Sequence, residues 1–432
     1  MNKLLNTIMI WESLSQNKKK KILERPILSQ QKNLKKNVSK ILKDVLENGD
    51  FALKKYTKKF DNVQLKNFYV SKDKLENFTQ KIDSKLKQSI LLSKKNLEIF
   101  HQAQKQKDID VITYPGVRCQ RITLPIQSVG LYVPGNKFPL ISTALMLSVP
   151  AILSGCSDIT ICTPPPVSAE ILYIAKICKI KKILQLGGAQ GIAALAFGTT
   201  SIQKVNKIFG PGNMYVTEAK LQVSQKISGV SIDMLAGPTE VLIIADEFSN
   251  VSYIASDLLA QSEHDKNSQF FLLTPSLKIA ELIQLEIIQQ FEKLENKKNI
   301  KKVFTHSYII LTKNLFECFK ISNQYSPEHL ILHIKNSRDW IPEIKNAGSV
   351  FLGSWTPEAA GDYMTGANHV LPTYGSSKTY SSLGLSDFQK HIIIQEIQKN
   401  SLNELSSYIT TLSNLEGMEA HTHSVNIRTL LA

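Results

Sequence analysis

The sequence predicts an α/β protein whose parallel sheets are flanked by helices. From about residue 128 to 353, apolar runs of strand length alternate with segments of helical period. This alternation is typical of a parallel sheet with helices on both faces. It falls into two blocks, 128–239 and 240–353, and more polar segments of helical period precede and follow them. We therefore expect two α/β domains, a helical N-terminal region and a helical C-terminal tail.

The region before the first block is expected to be helical. Apolar side chains recur there at the spacing of one helix face, at Leu34, Val38, Ile41, Leu42, Val45 and Leu46. Gly49 is suited to end this helix and Asp50 to cap the next, and a further helix is expected at about 72–104. We expect these helices to complete the second block.

The first block is predicted to alternate strands and helices in the ranges 128–134, 142–154, 158–166, 169–180, 182–186, 189–199, 205–212 and 213–225. Glycine-bearing turns at 186–195 (LGGAQGIAAL) and 209–216 (FGPGNMYV) each join a strand to a helix. Free N–H groups at a helix N-terminus favour phosphate, but neither turn has the GxGxxG spacing. Tight-turn geometry explains either turn alone, whereas two turns at one sheet edge favour a nucleotide crevice.

The second block continues the alternation. Its strands and helices are predicted at 240–246, 250–262, 269–274, 276–294, 307–312, 314–323, 328–334, 337–346 and 348–353. The last fifty residues are polar, helical in period and without an apolar core of their own. We expect this tail to dock on another surface, such as a second subunit.

Composition and charge exclude several classes of protein. The 432 residues carry a net charge of +15, but the basic excess is mostly scattered lysine without an Arg-rich stripe. A lysine-rich solvated surface therefore explains the charge better than nucleic-acid binding. The five cysteines show no CxxC spacing, which indicates reduced thiols. No signal peptide or membrane-length apolar run is present in the sequence, so we expect a cytoplasmic protein.

An acid and an imidazole stand side by side in the stretch YSPEHLIL, at Glu328 and His329, directly before a buried strand. An imidazole titrates near neutral pH and can act as a general base. A polar loop would explain the pair without any chemistry. The alternative is that Glu328 and His329 transfer protons.

Three further segments carry candidate metal ligands. Gln261 and His264 lie three residues apart at the end of a predicted helix, which places them on one face. Asp362 and His369 lie in a Gly-rich loop with no apolar period. A lone His at a helix end is more often a surface group, and a Gly-rich loop can be a mere connection. These residues become a site only if the fold brings them together.

The tail adds Glu416, His421 and His423 in the stretch LEGMEAHTHS. Histidine, aspartate and a carboxamide oxygen can together hold Zn²⁺ and leave a position for substrate. Spacing alone does not establish that such distant residues meet. His333, within an apolar strand, is interpreted as a packed core histidine.

Eight segments taken together resemble the histidinol dehydrogenase family: SVGLYVPG, LGGAQGIAALAFGT, IFGPGN, IDMLAGPTEVLIIAD, DLLAQSEHD, YSPEHLIL, GDYMTGANHVLPT and LEGMEAH. They occur in the family's order, and the resemblance covers about residues 30 to 428. It implies two incomplete Rossmann-like domains and a homodimer with one Zn²⁺ per subunit. Such an enzyme oxidises L-histidinol to L-histidine through L-histidinaldehyde and reduces two NAD⁺.

The resemblance also implies roles for individual residues. The acid–base pair would be Glu328 and His329. The zinc ligands would be Gln261, His264, Asp362 and His421. The substrate contacts would be Thr239, Gln261, His264, His329, Asp362, His369, Glu416 and His421. The NAD contacts would be Tyr132, Gln190 and Asn213.

The resemblance further implies a division of the chain into an N-terminal segment 1–26, a first domain from 27–127 with 240–383, a second domain 128–239 on the NAD side, and a tail 384–432 that crosses to the partner subunit. Two positions depart from the family pattern. Thr239 stands where Ser is common and keeps a hydroxyl. Leu235 stands where Pro is usual and changes the stiffness of a turn.

Two alternative functions remain open at this point. A zinc hydrolase would also combine Zn²⁺ with a Glu that activates water. An NAD-dependent dehydrogenase of another small alcohol could use the same scaffold, since pocket shape cannot be derived from sequence. The resemblance favours L-histidinol as substrate, with no nucleic-acid or membrane partner.

Overall fold

The computed structural model describes residues 7–26, 31–71, 73–75, 82–135, 138–226, 229–234, 237–295 and 297–430. Leu235, one of the two departures from the family pattern, lies outside these residues. For His264 the backbone is described and the side chain is not.

The strands, in chain order, are β1 (Met9–Ile10), β2 (Ile109–Tyr114), β3 (Val117–Pro125), β4 (Ser128–Tyr132), β5 (Asp158–Thr163), β6 (Lys182–Gln185), β7 (Lys207–Phe209), β8 (Ser231–Ile232), β9 (Glu240–Ala245), β10 (Gln269–Thr274), β11 (Tyr308–Leu311), β12 (His329–His333), β13 (Ser349–Leu352) and β14 (Gln389–Ile397).

The α-helices are α1 (Gln16–Ile22), α2 (Gln31–Asp61), α3 (Ser84–Gln102), α4 (Ile141–Leu153), α5 (Ala169–Ile177), α6 (Gly188–Phe197), α7 (Met214–Ser224), α8 (Val251–His264), α9 (Leu277–Glu292), α10 (Lys297–Phe304), α11 (Leu315–Tyr325), α12 (Glu358–Tyr363), α13 (Lys399–Leu415) and α14 (Glu419–Leu430). Short 3-10 helices span Trp11–Ser13, Ser337–Glu343, Ser376–Lys378 and Leu385–Phe388.

Two parallel sheets form the body of the described chain. The first has six strands in the order β1-β11-β10-β9-β12-β13, and the second has five in the order β6-β5-β4-β7-β8. The central strands β9 (EVLIIA) and β10 (QFFLLT) are buried along their whole length. Continuous apolar runs of this kind are characteristic of parallel strands covered by helices on both faces. The predicted fold class is confirmed.

Each face of the six-stranded sheet has its own core. One face packs β9, β10 and β12 against α8, α9 and α10. The other face packs alternate residues of the same strands against α11 and the N-terminal residues Trp11, Ile22 and Leu23. Because β1 also joins the edge of this sheet, residues 7–26 complete the second block. The longer N-terminal helices pack elsewhere: α2 and α3 lie on the five-stranded sheet. The expectation that the N-terminal helices complete the second block therefore holds for α1 and is wrong for α2 and α3.

The break predicted in the first long helix is confirmed. Gly49 adopts φ +48 within α2, where the helix is interrupted. An L side chain rarely adopts this conformation, so glycine is the residue suited to this break. Of the helix expected at 72–104, residues 72 and 76–81 lie outside the described residues and residues 73–75 are helical. Helix α3 begins at Ser84, because Asp83 Oδ2 accepts hydrogen bonds from the backbone N–H groups of Lys85 and Leu86.

The tail is not wholly helical as predicted. Its first part, β14, pairs with β3, which also pairs with β2, in an antiparallel three-stranded sheet. These strands were not predicted, because neither sheet face is covered and the usual alternation of buried and exposed side chains is missing. Ile393, for example, is 60% exposed. The helix predicted at 337–346 is wrong in type, since Ser337–Glu343 is a 3-10 helix containing Pro342.

Candidate active site

The acid–base pair lies at the start of β12, between β9 and the edge strand β13 of the six-stranded sheet. The chain leaves α11 through Ser326, in a left-handed conformation, and Pro327. This sharp turn places Glu328 and His329 beside the first residue of the neighbouring strand, Glu240. The backbone N–H of Glu240 donates to Glu328 Oε2 at 3.0 Å, and its C=O lies 3.2 Å from His329 Nδ1. One peptide segment therefore holds both members of the pair.

His329 is buried, with one ring nitrogen held and the other free. Because a carbonyl only accepts, the contact with Glu240 O assigns the proton to Nδ1. Nε2 has no hydrogen-bond partner among the described residues. Burial lowers the pKa of His329, although the charge of Asp362 opposes that shift. The ring is therefore neutral near pH 7, with Nε2 available to accept a proton.

Three carboxyl groups surround this imidazole. His329 Nδ1 lies 3.8 Å from Glu328 Oε2 and 3.7 Å from Glu358 Oε1. Burial raises the pKa of Glu328 well above its ordinary value. Burial, reinforced by Asp257, raises the pKa of Glu358 to about 8, and burial raises that of Asp362 to about 6. The cluster can hold and release protons near neutral pH.

Sequence reasoning missed Glu358. It lies one helical turn before Asp362 in α12, and its Oε2 is buried without a partner in the described chain. The i, i+4 spacing of two acids in the segment TPEAAGD was the available signal, since it places both on one helix face. The Gly-rich surroundings concealed it, because they indicated a loop rather than a helix.

Helix α8 supplies a second group of buried polar atoms. Gln261 is fully buried, and neither its Oε1 nor its Nε2 has a partner among the residues described. Asp257, one turn earlier on the same helix face, has its pKa raised by burial to about 6 and interacts electrostatically with Glu358. Helix α8 thus faces the carboxyl cluster. A buried carboxamide without partners is costly, so it marks a place where a ligand is needed.

The remaining predicted substrate residues lie on separate segments of the chain. Thr239 directly precedes Glu240 and is half-buried. His369 Nε2 lies 3.4 Å from Thr143 Oγ1, at the start of α4. Glu416 and His421 are exposed on the tail, and no described contact joins either of them to Gln261 or Asp362. One copy of the chain therefore brings together only part of the predicted set.

The predicted NAD contacts lie beyond the C-terminal ends of the strands of the other sheet. Tyr132 ends β4, and its hydroxyl accepts the Gly188 N–H at 2.9 Å. Gln190, in the first turn of α6, donates to Asp61 Oδ2 at 3.4 Å. Asn213 caps α7 through its Oδ1, which accepts two backbone N–H groups. Ligands of open parallel sheets bind at this edge.

Gly210 fits the close approach of backbone that this edge requires. Its φ is +113, and a Cβ there would lie 2.1 Å from the carbonyl oxygen of Tyr132. Only glycine fits this position without displacing the strand. The turn FGPG is therefore required by packing, whether or not it also contacts a nucleotide.

Comparison with known proteins decides the family. A family model described as histidinol dehydrogenase matches residues 24–429. The chain belongs to the histidinol dehydrogenase family. It is 51% identical over 426 residues to a histidinol dehydrogenase of Buchnera aphidicola subsp. Schizaphis graminum, covering 99% of this chain and 98% of the relative. It is 47% identical over 423 residues to that of Escherichia coli strain K12, covering 98% of each.

A solved structure agrees with the family assignment. The crystal structure of histidinol dehydrogenase from Elizabethkingia anophelis superposes with a TM-score of 0.93 at 40% identity and covers 98% of each chain. As a histidinol dehydrogenase, the chain is an NAD-linked oxidoreductase, and the hydrolase alternative is set aside. Within the described residues, no helix has the length and apolar character needed to span a bilayer.

The described residues supply part of a site for a metal ion. Among them, no group of three or more His, Cys, Asp or Glu side chains has a geometry that could hold a metal ion. Two of the expected ligands nevertheless fit: Gln261 has an orphaned buried carboxamide, and Asp362 is a carboxyl beside the same cluster. The side chain of His264 is not among the described residues, and no described contact joins His421 to Gln261 or Asp362. The site thus fits a metal whose shell is completed by further groups.

Proposed function

We propose that this chain oxidises L-histidinol to L-histidinaldehyde and then to L-histidine, with His329 as the general base in both steps. The observation that carries the proposal is the free, buried Nε2 of a neutral imidazole whose Nδ1 is held by the Glu240 carbonyl. A base of this kind is ready to accept a proton and is shielded from water. General acid–base catalysis typically contributes about 10²–10⁴-fold in rate.

In the first oxidation, His329 Nε2 takes the proton of the substrate hydroxyl as the hydride leaves the same carbon. Bound NAD⁺ supplies the hydride acceptor. The C–H and O–H bonds break, a C=O bond forms, and the products are the aldehyde, NADH and the imidazolium. The carboxylate of Asp362, whose pKa of about 6 leaves it ionised near pH 7, stabilises that positive charge.

Before the second oxidation, His329 releases its proton to solvent. Water then adds to the aldehyde to form a gem-diol, and a second NAD⁺ would accept the hydride that the diol loses. We assign activation of that water to Glu328, whose Oε2 accepts the Glu240 N–H. Burial raises the pKa of Glu328, so once ionised its carboxylate is a stronger base than an exposed one. His329 then takes a hydroxyl proton from the diol, and the product is the carboxylic acid of histidine.

The proposed zinc ligands are Gln261, His264, Asp362 and His421. When bound, the metal would supply a Lewis-acidic centre for the imidazole and amine nitrogens of the substrate. Support comes from the unpartnered amide of Gln261 and from the donor set of two histidines, a carboxylate and a carboxamide. A weak carboxamide ligand suits a site that substrate completes.

We further propose a homodimer in which the tail of one chain completes the site of the other. Glu416 and His421 are exposed, as are the tail residues Leu412 and Leu415, of which Leu415 is 85% exposed. Apolar side chains presented in this way are typical of an interface. A second copy could supply both the cover for the tail and the missing ligand.

The remaining contacts complete the proposal. Thr239, His369 and Glu416 would contact the substrate, and Tyr132, Gln190 and Asn213 would contact NAD. The NAD assignment is supported by their location at the C-terminal edge of the five-stranded sheet. A cytoplasmic location stays a prediction.

The test is a coupled assay on the purified protein. Bound zinc is measured per chain, and NADH formation is followed after adding L-histidinol and NAD⁺. We expect one zinc per chain, no NADH without histidinol and two NADH per histidinol consumed. One NADH per substrate, with aldehyde accumulating, would overturn the assignment of the second oxidation. NADH formation from other small alcohols at equal kcat/KM would overturn the substrate assignment.

A further inference from the structure

Arg25, at the end of the N-terminal segment, reaches the acid–base pair through Glu240. Its Nε and Nη2 donate to the two carboxylate oxygens of Glu240 at 2.5 and 2.9 Å. The guanidinium side chain is 15% exposed and the Glu240 side chain 3%. This is the planar, two-bond geometry that arginine alone among basic residues provides.

The same guanidinium holds a second stretch of chain. Nη2 also donates to the carbonyl oxygens of Tyr325 at 2.8 Å and Ser326 at 3.2 Å. The guanidinium carbon, Arg25 Cζ, lies 4.1 Å from the centre of the Tyr325 ring. Tyr325 and Ser326 form the turn that leads directly into Glu328. One side chain thus ties the start of β9 to the turn before β12.

Glu240 in turn holds both members of the acid–base pair through its backbone. Its N–H donates to Glu328 Oε2, and its C=O fixes His329 Nδ1. The carboxylate of Glu240 also accepts the backbone N–H of Tyr374 at 3.0 Å. A displacement of this residue would therefore move the two contacts that orient the acid and the base.

We propose that Arg25 and Glu240 are positioning residues that hold Glu328 and His329 in the geometry required for proton transfer. The inference rests on the proposed roles of Glu328 and His329. Neither Arg25 nor the Glu240 side chain hydrogen-bonds to the pair, so the positioning acts through the Glu240 backbone and the turn at Tyr325 and Ser326. Burial is the main influence on the pKa of both Glu328 and His329, and the Glu240 charge also raises the pKa of both. The N-terminal segment is then part of the catalytic apparatus, although it lies 215 residues before Glu240 in the chain.

Stability alone is a weak explanation for this arrangement. Replacing a buried ion pair by apolar groups is often neutral or stabilising, because desolvation offsets the attraction. Orientation of the acid–base pair is a stronger explanation, since misplacing a reacting group by about 1 Å can slow a reaction about 100-fold.

The test compares Arg25→Lys and Arg25→Ala with a matched arginine elsewhere. Arg118 forms a similar two-bond pair with Asp110, at 2.9 and 2.5 Å, on the antiparallel sheet. We expect Arg25→Ala to lower kcat of both oxidations about 10–100-fold, with KM for histidinol and NAD⁺ and bound zinc within about twofold of wild type. Arg25→Lys should recover part of kcat, and millimolar guanidinium should restore part of the Arg25→Ala rate. Arg118→Lys should leave kcat unchanged.

Adding Arg25→Ala to a variant that lacks both members of the acid–base pair separates positioning from a structural role. If Arg25 acts only through the pair, Arg25→Ala should have little further effect on kcat in a His329→Asn, Glu328→Gln background. An equal fold-loss in that background, or a loss matched by a smaller folded fraction, would overturn the proposal. If His329→Asn alone keeps wild-type kcat, the acid–base assignment fails. If His329→Asn is slow and Arg25→Ala is normal, only the positioning role fails.

Discussion

The two parallel sheets present their polar groups differently. Around the six-stranded sheet, Gln261 and atoms of His329 and Glu358 are buried without hydrogen-bond partners among the described residues. Around the five-stranded sheet, Tyr132, Gln190 and Asn213 are all engaged by neighbouring backbone or side-chain groups. In the first region, the described chain supplies no hydrogen-bond partner for these atoms. The three predicted NAD contacts, in contrast, find partners within the protein itself.

This difference indicates how each region meets its ligand. A buried polar group left unpaired costs about 1–3 kcal/mol, so the six-stranded sheet carries a penalty that a bound metal and substrate would remove. The hydrogen bonds at the other sheet shape turns and helix ends, and a cofactor would add to them. Substitutions should therefore stabilise the metal-free protein in the first region and destabilise it in the second.

The largest expected effect is on His329. His329→Asn removes the proposed base and should lower kcat of both oxidations by about 10²–10⁴-fold, with bound zinc unchanged. His333→Asn is a demanding comparison, since both nitrogens of the buried His333 ring also lack partners in the described chain. Stopped-flow measurement of NADH checks both variants. If folded His333→Asn protein loses as much rate, an unpartnered nitrogen does not distinguish the site.

The second prediction concerns Glu328 and compares the rate of histidinaldehyde oxidation with that of histidinol oxidation in the same assay. Glu328→Gln keeps the size of the side chain and removes its capacity to accept a proton from water. Oxidation of added histidinaldehyde should fall more than oxidation of histidinol, because only the aldehyde step consumes water. Equal losses in the two steps would contradict the assignment of water activation to Glu328.

A substitution at Gln261 tests directly whether the missing hydrogen-bond partners lower the stability of the metal-free protein. Gln261→Leu removes both unpartnered amide atoms and should stabilise the metal-free protein by about 1–3 kcal/mol in urea unfolding. Zinc affinity should fall by at least the factor of about 10–100 typical of lost outer-shell partners. Zinc titration and unfolding of the same preparation check both results. Lower stability together with unchanged zinc affinity would show that the carboxamide serves packing.

Tyr132→Phe is the counterpart on the five-stranded sheet. The Gly188 N–H loses its acceptor, so the protein should lose about 1 kcal/mol of stability. KM for NAD⁺ should rise by about two- to tenfold, the range of one hydrogen bond, while KM for histidinol stays constant. Steady-state kinetics with each substrate varied in turn gives the answer. A larger rise in KM for histidinol would disconnect Tyr132 from the cofactor.

The smallest effect is expected at His101, a buried histidine of α3 that belongs to neither set of predicted site residues. Its Nδ1 lies 2.9 Å from the Leu97 carbonyl oxygen, and burial lowers its pKa below the ordinary 6.5. The unfolded chain then binds the proton more readily, so this contribution to stability is complete above about pH 6.5 and is lost as pH falls through the folded-state pKa. His101→Gln should reduce the difference in Tm between pH 7.5 and 5.5 without altering kcat at pH 7.5. An unchanged difference would exclude His101 as its source.

The parts of the fold that follow burial could be predicted from the sequence. Strands β9 and β10 are apolar throughout, and the break at Gly49 follows from glycine's access to positive φ. The antiparallel sheet could not be predicted, because β14 is exposed along almost its whole length and its isoleucines have no cover within one chain. A strand whose two faces are both exposed within the chain has no alternation of buried and exposed side chains to predict it.

The candidate site divides in the same way. Glu328 and His329 were found because they are adjacent and precede an apolar run. Glu358 was missed because its relation to His329 depends on how α12 packs on the sheet, which no local spacing encodes. Arg25 and Glu240 were missed for a stronger reason, since 215 residues separate them and their pairing is a product of topology.

That separation has a consequence for synthesis. Strand β1 and Arg25 leave the ribosome first, yet their partners β11 and Glu240 come from the far side of the intervening five-stranded domain. At about 5–20 residues per second, Arg25 waits roughly 10–40 s for Glu240 to be made. Most of the five-stranded domain can fold in that interval, although Val370, Leu383 and Phe388 of its core are made later. Residues 7–26, which pack on the six-stranded sheet, stay unpaired meanwhile. Nascent chains arrested before residue 240 should therefore protect most of the five-stranded domain from protease and leave the first 26 residues open to cleavage.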